Sequence, residues 1–468
     1  MALNLCYSAT GDLRFEHFTL IAPLRTADGL DLRALIAIQL GVALASLDTA
    51  IANTALPAIA TDLLASPAAS IWVINAYQLA IVATLLPFAA LGDLLGPRRV
   101  FLAGLAFFTV ASLGCAFAST LPALAVARAL QGLGASGIMS VNIALIRLIF
   151  PASRLGRGVG LNALVVGVSF ALGPTVASLL LSVASWPWLF AINVPLGMLA
   201  LAFALPALPH STTRSHRFDW LTALLTALSF ASLVLALGAA AQGEPISVVA
   251  LPLGLALVSI SLLLWRQAGH PAPMLPVDLL RRPLFALSAI TSMASFTTQG
   301  LAFVALPFYF EEVLHRNPIE TGFLMTPWPI VVALAAPIAG RLSDRYPPGL
   351  LGGIGLMLLC AGLLSLAWLT SHPTATGIVL GMALCGVGFG LFQAPNMKAL
   401  MSSAPPERSG GASGVIAMAR LLGQTTGAAL VALCFGLAAA HGPVLALGLA
   451  AGFAALASLT SFARLWAR

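Results

Sequence analysis

Residues 47–53 read Leu-Asp-Thr-Ala-Ile-Ala-Asn and lie in the middle of the first long apolar run of the chain. Asp48 is the only charged residue between Ala34 and Ile59. A carboxylate near the centre of a hydrocarbon layer costs about 2.5–3.5 kcal/mol on insertion scales, so it is expected to face the protein interior and to be functional. The stretch therefore predicts a membrane-spanning helix that carries one buried carboxylate.

The composition of the whole chain excludes a water-soluble protein. Of its 468 residues 60% are hydrophobic and only 8% are charged, whereas soluble domains contain about 25% charged residues. Continuous apolar runs near the length of a bilayer-spanning helix favour helices over the short alternating strands of a barrel. The predicted fold class is an all-α polytopic membrane protein.

Fourteen apolar runs are long enough to cross a hydrocarbon core of about 30 Å as helices. They form groups of six, two and six, at 34–57, 70–91, 99–119, 122–146, 159–183 and 186–208, then 220–241 and 246–265, then 284–310, 321–340, 350–370, 374–400, 411–436 and 442–464. We therefore predict an N-terminal segment (1–33), a six-helix bundle (34–208), a linker with two extra helices (209–283) and a second six-helix bundle (284–468).

The basic residues indicate the orientation of these spans. If the N-terminus is cytoplasmic, all of the 22 Lys and Arg residues except Arg128, Arg316 and Arg420 fall in or beside cytoplasmic segments. This bias is the positive-inside pattern of membrane proteins. It predicts cytoplasmic N- and C-termini in a bacterial inner membrane, and it explains the net charge of +7 without nucleic acid.

The sequence offers no candidate residues for ATP binding or metal binding. The only lysine, Lys398, lies outside any Gly-Lys-Ser/Thr loop, so no ATP site is predicted. The five cysteines lack metal-ligand spacing. We expect no cofactor, no metal and no enzymatic activity, and we expect the partners to be protons, small molecules and the lipid bilayer.

Two loops share one pattern, which is expected of a chain built from repeated halves. Residues 89–99 read AALGDLLGPRR, and residues 340–345 read GRLSDR. Their charged residues, which can bind helix ends or carboxylates, are Asp93, Arg98, Arg99, Asp344 and Arg345. The alternative interpretation is that both are ordinary basic loops.

Spans four and five carry further patterns. Span four contains RALQGLGA at 128–135, and its embedded Arg128 needs a partner, unless it snorkels to a membrane face. Span five contains Gly160, Ser169, Gly173-Pro174 and Ala177-Ser178, a stripe of small residues with a proline that can bend the helix. Ordinary small-residue packing is the alternative for span five.

Together with WPWLFAINVPLG at 186–197, QAPN at 393–396 and Arg420 with Gly423 and Gly427, these segments resemble the major facilitator superfamily. They resemble its fourteen-span drug:proton antiporter branch, the EmrB/QacA type. The resemblance implies two six-helix bundles plus two extra helices, and proton-coupled multidrug efflux with antibiotic resistance.

The resemblance also implies roles for particular residues. It pairs Asp48 with Arg128 in proton coupling, and it associates the span-five pattern with exporters. The expected substrate cavity contains Asn53, Gln78, Gln299, Trp328, Gln393 and Asn396. The expected conformational motifs contain Asp93, Arg98, Arg99, Gly173, Pro174, Asp344, Arg345 and Arg420.

The expected activity is export of lipophilic or cationic drugs in exchange for protons by alternating access. Three alternatives remain: an exporter of one endogenous metabolite or antibiotic, an importer or facilitator, and a non-transporting membrane receptor. Glu311 and Glu312 at an outer mouth are interpreted as a solvated helix end rather than as a second proton site.

Overall fold

The computed structural model of the protein describes residues 32–150, 155–209, 219–241, 243–267, 277–368, 374–403, 409–438 and 441–466. In these ranges 14 helices are long and apolar enough to cross a membrane. The predicted number of spans and their division into six, two and six are therefore confirmed. The predicted N-terminal segment, 1–33, lies almost wholly outside the described residues.

The first six spans are formed by eight helices, because two spans contain a short helix followed by a long one. In chain order they are α1 (Leu32–Asp62), α2 (Pro67–Ser70), α3 (Trp72–Leu95), α4 (Pro97–Ala116), α5 (Leu121–Ile149), α6 (Leu155–Val183), α7 (Pro187–Ala191) and α8 (Asn193–Ala207). Within this group α5 packs against α3 and α4, while α1 packs against α6 and α8.

The two extra spans are α9 (Trp220–Ala241) and α10 (Ile246–Gln267), which pack against each other. Asp219 accepts hydrogen bonds from the Thr222 backbone at 3.1 Å and from Arg266 at 3.1 Å, and so joins the start of α9 to the end of α10. Burial raises the pKa of Asp219, but the hydrogen bonds from Thr222 and Arg266 outweigh it and lower the pKa to about 2. This carboxylate is therefore charged at neutral pH.

The last six spans follow the short helix α11 (Val277–Leu280). They are formed by α12 (Pro283–Phe308), α13 (Pro318–Met325), α14 (Pro327–Leu342), α15 (Pro348–Trp368), α16 (Ala375–Ser403), α17 (Ser409–Ala438) and α18 (Gly442–Ala463). α12 packs against α17 and α18, and α15 packs against α16 and α18. The architecture of two six-helix bundles plus two additional helices is thus as predicted; the residue boundaries of the domains remain a prediction.

The helix ends form two faces. We call one the basic face, because its described helix ends and loops carry Arg98, Arg99, Arg281, Arg282, Arg341 and Arg345. We call the other the opposite face; its described loops include 63–66, 184–186 and 314–317. α1, α6, α12 and α17 line the boundary between the two bundles.

The bundles are held together in the middle of the molecule and toward the opposite face. Among the described residues, three hydrogen bonds cross the boundary: Thr175 to Thr326 at 2.7 Å, Ser178 to the Pro318 carbonyl at 2.8 Å, and Thr425 to Gln78 at 3.1 Å. Gly322 of α13 packs against Ser178 and the Pro174 carbonyl of α6. In this conformation the bundles are therefore closed toward the opposite face.

Candidate functional site

Asp48 lies in the middle of α1 with 1% of its surface exposed. Its position is fixed by the neighbours of α1, because Gly173 of α6 lies directly against Ala50 and leaves no room for a side chain between the helices. The small residues of α6 thus bring it close to α1, as expected for a stripe of this kind. The carboxylate projects into the N-terminal bundle and does not face lipid.

Three side chains donate hydrogen bonds to the Asp48 carboxylate. Arg128 Nη1 of α5 donates to Oδ2 and forms a buried ion pair. Gln131 Nε2 and Asn193 Nδ2 donate to Oδ1 at 2.9 and 2.8 Å. Since all three groups are donors, the arrangement suits the ionised carboxylate. The predicted meeting of Asp48 and Arg128 therefore occurs in the structure.

Arg128 is fully buried and is held from several sides. Its Nε donates to the Val73 carbonyl at 3.0 Å, and its Nη1 donates to Gln131 Oε1 at 2.5 Å. Its guanidinium lies 4.1 Å from the centre of the Tyr77 ring, a cation–π contact. Gly132, one turn further along α5, packs against the Tyr77 carbonyl. That close approach of α5 to α3 brings Arg128 under the ring.

A second layer of polar groups orients Gln131. Its Nε2 also donates to Ser112 Oγ at 2.8 Å, and Cys115 Sγ lies 3.5 Å from its Oε1. Ser112 and Cys115 belong to α4, so the site is built from five spans of one bundle. A network of this kind fixes the orientation of the amide and holds the carboxylate in one place.

A cleft between the two bundles lies beside this network and has an empty volume of about 330 Å³. It is lined by Ala45, Ser46, Thr49, Tyr77, Gln78, Ile81, Met139, Phe170, Arg420, Leu421 and Gln424. Tyr77 belongs to both places, since it lines the cleft and covers the guanidinium of Arg128. Tyr77 therefore contacts both the cleft and the buried ion pair.

A neighbouring cleft of about 280 Å³ extends the first one along α1 and α12. Its lining includes Asn53, Gln78 and Gln299, together with Phe170, Phe303 and Gln424. Gln424 donates to Gln299 Oε1 at 2.9 Å. Three of the six residues expected in a substrate cavity, namely Asn53, Gln78 and Gln299, thus lie together in this place.

The other three expected cavity residues line neither cleft. Trp328 is fully buried against Phe303, with 5.1 Å between the ring centres. Asn396 donates to Ser292 Oγ at 2.7 Å and accepts from Arg464 at 2.5 Å, in a buried cluster near the basic face. Gln393 is half-buried on the same helix, α16. In this conformation these three are too deeply packed, or too far along α16, to contact a molecule in either cleft.

The expected conformational residues lie mainly at the basic face. Arg98 donates to the Leu205 carbonyl at 2.6 Å, so the start of α4 holds the end of α8. Asp344 forms an exposed ion pair with Lys398 at 2.5 Å. Asp93, Arg99 and Arg345 are at least partly exposed at this face, and Gly173 and Pro174 lie in the contact of α6 with α1 and α13. Arg420 is the exception, because it lies in the cleft.

Sequence reasoning missed Gln131, Asn193 and Gln424 as site residues. Gln131 and Asn193 both lie inside segments that carried the family resemblance. These residues could have been noticed because polar side chains are rare in membrane spans. A neutral amide is less unusual there than a charged residue, so this indication is weaker. Among the described residues no cluster of His, Cys, Asp and Glu is arranged to hold a metal ion.

A membrane protein with two helical bundles, a polar cleft between them and a buried ion pair beside that cleft has the architecture of a secondary transporter. The chain belongs to the Major Facilitator Superfamily, whose family pattern matches residues 38–428.

Three relatives show where the chain falls within this family. It is 50% identical to the "Uncharacterized transporter YebQ" of Escherichia coli over 94% of this chain and 97% of that protein. It is 30% identical to the "Riboflavin transporter RibZ" of Clostridioides difficile, covering 86% and 87% of the two chains. It is 31% identical to the "Multidrug resistance protein Stp" of Mycobacterium tuberculosis, covering 86% and 75%. The similarity to the multidrug resistance protein agrees with the predicted drug-efflux branch.

The fold is also that of solved transporters. The xylose transporter XylE from E. coli, in a partially occluded inward open conformation, matches over 92% of this chain and 96% of its own chain. The TM-score is 0.62 at 15% sequence identity. The predicted major facilitator fold is therefore confirmed, and the family and its structural neighbours are membrane transporters.

Proposed function

We propose that this protein exports lipophilic small molecules across a bacterial inner membrane in exchange for protons. The observation that carries the proposal is the buried Asp48–Arg128 pair, which lies against Tyr77, a side chain that also lines the cleft between the bundles. A buried carboxylate in a membrane span is expensive, and proton relays are a common reason to keep one.

The orientation of the cycle follows from the basic face. Positive residues favour the cytoplasmic side, so we assign the basic face and both termini to the cytoplasm. The conformation described here is then closed toward the outside by Ser178 and Thr175, which contact the start of α13 and the junction of α13 with α14. In a proton-driven exporter, this is the conformation from which Asp48 releases its proton and substrate enters from the cytoplasm.

Protonation of Asp48 would change the contacts of Arg128. A neutral carboxyl group attracts the guanidinium less than a carboxylate does, which frees Arg128 to shift under the Tyr77 ring. Tyr77 also lines the cleft and donates to the Ala45 carbonyl at 3.1 Å. A shift of Arg128 would therefore move a side chain that contacts the substrate. This contact is the physical link that we propose between proton uptake and substrate release.

The relatives support two versions of the substrate. The similarity to a multidrug resistance protein favours several unrelated drugs. The similarity to a riboflavin transporter favours the alternative, an exporter dedicated to one metabolite. We propose the multidrug version, and a panel of compounds separates the two, since a dedicated exporter protects against or expels only one of them.

The proposal is tested by efflux from cells that lack their own major exporters. Cells that express the protein should accumulate less riboflavin or nalidixate than control cells, and a protonophore should abolish the difference. Asp48→Asn should insert normally and lose this efflux. Asp219→Asn, the same change at an exposed position outside the site, is the matched control and should retain it.

Two other results would indicate a different function for this protein. Higher accumulation in expressing cells would indicate an importer, and no effect on any compound would indicate a non-transporting receptor. Efflux by Asp48→Asn at the wild-type rate and at equal expression would refute the role of Asp48.

A further inference from the structure

Arg420 is a charged side chain in the cleft for which the structure shows no partner. It lies on α17, is partly buried, and has no hydrogen bond or ion pair with any described residue. Two other arginines in similar surroundings have polar partners: Arg128 pairs with Asp48, and Arg464 donates to Asn396, Ser288 and Ser461. The guanidinium of Arg420 is therefore left available.

The side chains around Arg420 cannot neutralise it. The polar residues that line its cleft are Ser46, Thr49, Tyr77, Gln78 and Gln424, which are all uncharged, and the rest of the lining is apolar. Asp48 is the nearest acidic residue along α1, but it is buried away from the cleft and is already occupied by Arg128, Gln131 and Asn193.

A desolvated cation without a partner is costly, and the cost is removed when an anion arrives with hydrogen-bond acceptors in the right places. We propose that the substrate is a lipophilic molecule with an anionic group, such as a carboxylate, which pairs with Arg420. This inference rests on the proposed transport function and narrows its substrate class. It argues against the cationic drugs that the sequence analysis expected, because Arg420 would repel them.

The lining of the cleft agrees with this substrate class. Phe170, Ile81, Met139 and Leu421 form its apolar walls. An aromatic or aliphatic body would contact these walls while the acidic group reaches Arg420, and the amides of Gln78 and Gln424 could donate to remaining oxygens.

The test compares three probes that share one ring system: 2-naphthoate, 2-naphthamide and 2-naphthylmethylammonium. Their binding to the full-length purified protein is measured in phosphatidylcholine nanodiscs, so that no anionic lipid competes for Arg420. We expect the carboxylate to bind about tenfold or more tightly than the amide, as hydrogen bonds to charged groups permit, and the ammonium to bind most weakly. No proton gradient is present, so the result does not depend on proton coupling.

Two variants assign the preference to one side chain. Arg420→Gln should lose the tenfold preference for the carboxylate and keep its affinity for the amide, while Arg420→Lys should retain part of the preference. Arg266→Gln, which removes an exposed arginine far from the cleft, should behave as wild type. Without ligand, Arg420→Gln should melt at the same temperature as wild type or higher, since it removes an unpaired charge.

Each other outcome overturns the inference. Equal binding of the three probes, no binding of any of them, or an unchanged carboxylate preference in Arg420→Gln would show that Arg420 does not recognise an anion. A lower melting temperature of ligand-free Arg420→Gln would indicate a structural role instead. Proton-coupled efflux of other compounds could still be found in each case, so the failure of this inference is distinguishable from failure of the proposed function.

Discussion

At the scale of single residues, the buried ion pair was predictable and the two amides that complete it were not. Asp48 and Arg128 stand out because each is an isolated charge in an apolar run, and each needs a partner. Gln131 and Asn193 complete the hydrogen bonds of Asp48, but an amide in a span has many other possible partners. Arg420 was noticed as part of a pattern, although its place in the cleft depends on how the bundles meet.

The buried pair makes a prediction about stability. Removing one member leaves the other charge buried and uncompensated, which typically costs about 3–5 kcal/mol. Arg128→Met should therefore lower the melting temperature of the purified protein strongly, and Asp48→Asn should lower it as well. The melting temperature of the double variant should fall by less than the sum of the decreases in the two single variants.

The corresponding measurement is thermal unfolding of all four proteins in the same nanodiscs. Additive losses in the double variant would show that the two side chains do not stabilise each other, and the ion pair would then have no part in holding the site together.

At the scale of helices, the sequence predicted the spans well because length and apolar character decide which segments can cross a bilayer. It did not predict the breaks within spans. Residues 309–313, at the end of the span that begins with α12, form a π-helical turn. Three spans are divided, near Ile71, Ile192 and Thr326, into a short and a long helix. These breaks depend on local packing, which apolar composition does not encode.

Two glycines of α6 allow the packing of this helix to be tested. A methyl group on Gly173 would collide with Ala50 of α1, whereas one on Gly167 would meet nothing within 4 Å. Gly173→Ala should therefore destabilise the protein by about 1–3 kcal/mol through overpacking. Gly167→Ala should stabilise it by about 0.5–1 kcal/mol, because alanine is the better helix residue.

The melting temperatures of the two variants should thus shift in opposite directions. Gly173→Ala should also reduce transport, since it displaces the helix that carries Asp48. Equal shifts in the same direction would mean that α1 and α6 do not pack as closely as described.

At the scale of the whole molecule, the two-bundle architecture could be predicted, but the relation between the bundles could not. The contacts that close the opposite face join residues far apart in sequence, such as Ser178 with the Pro318 carbonyl and Thr425 with Gln78. Neither pair has a local sequence signal. The same limit explains why Trp328 and Asn396 were expected in the cavity, although each is buried within the C-terminal bundle.

The central claim is that Asp48 carries the proton that exchanges with substrate. It is tested most directly in proteoliposomes that contain a pH-sensitive dye, with the membrane potential clamped and with a substrate found in the efflux panel. Addition of substrate should move protons in the opposite direction through wild-type protein and through Asp219→Asn, and should move none through Asp48→Asn at equal reconstitution. Proton movement through Asp48→Asn at the wild-type rate would contradict the account.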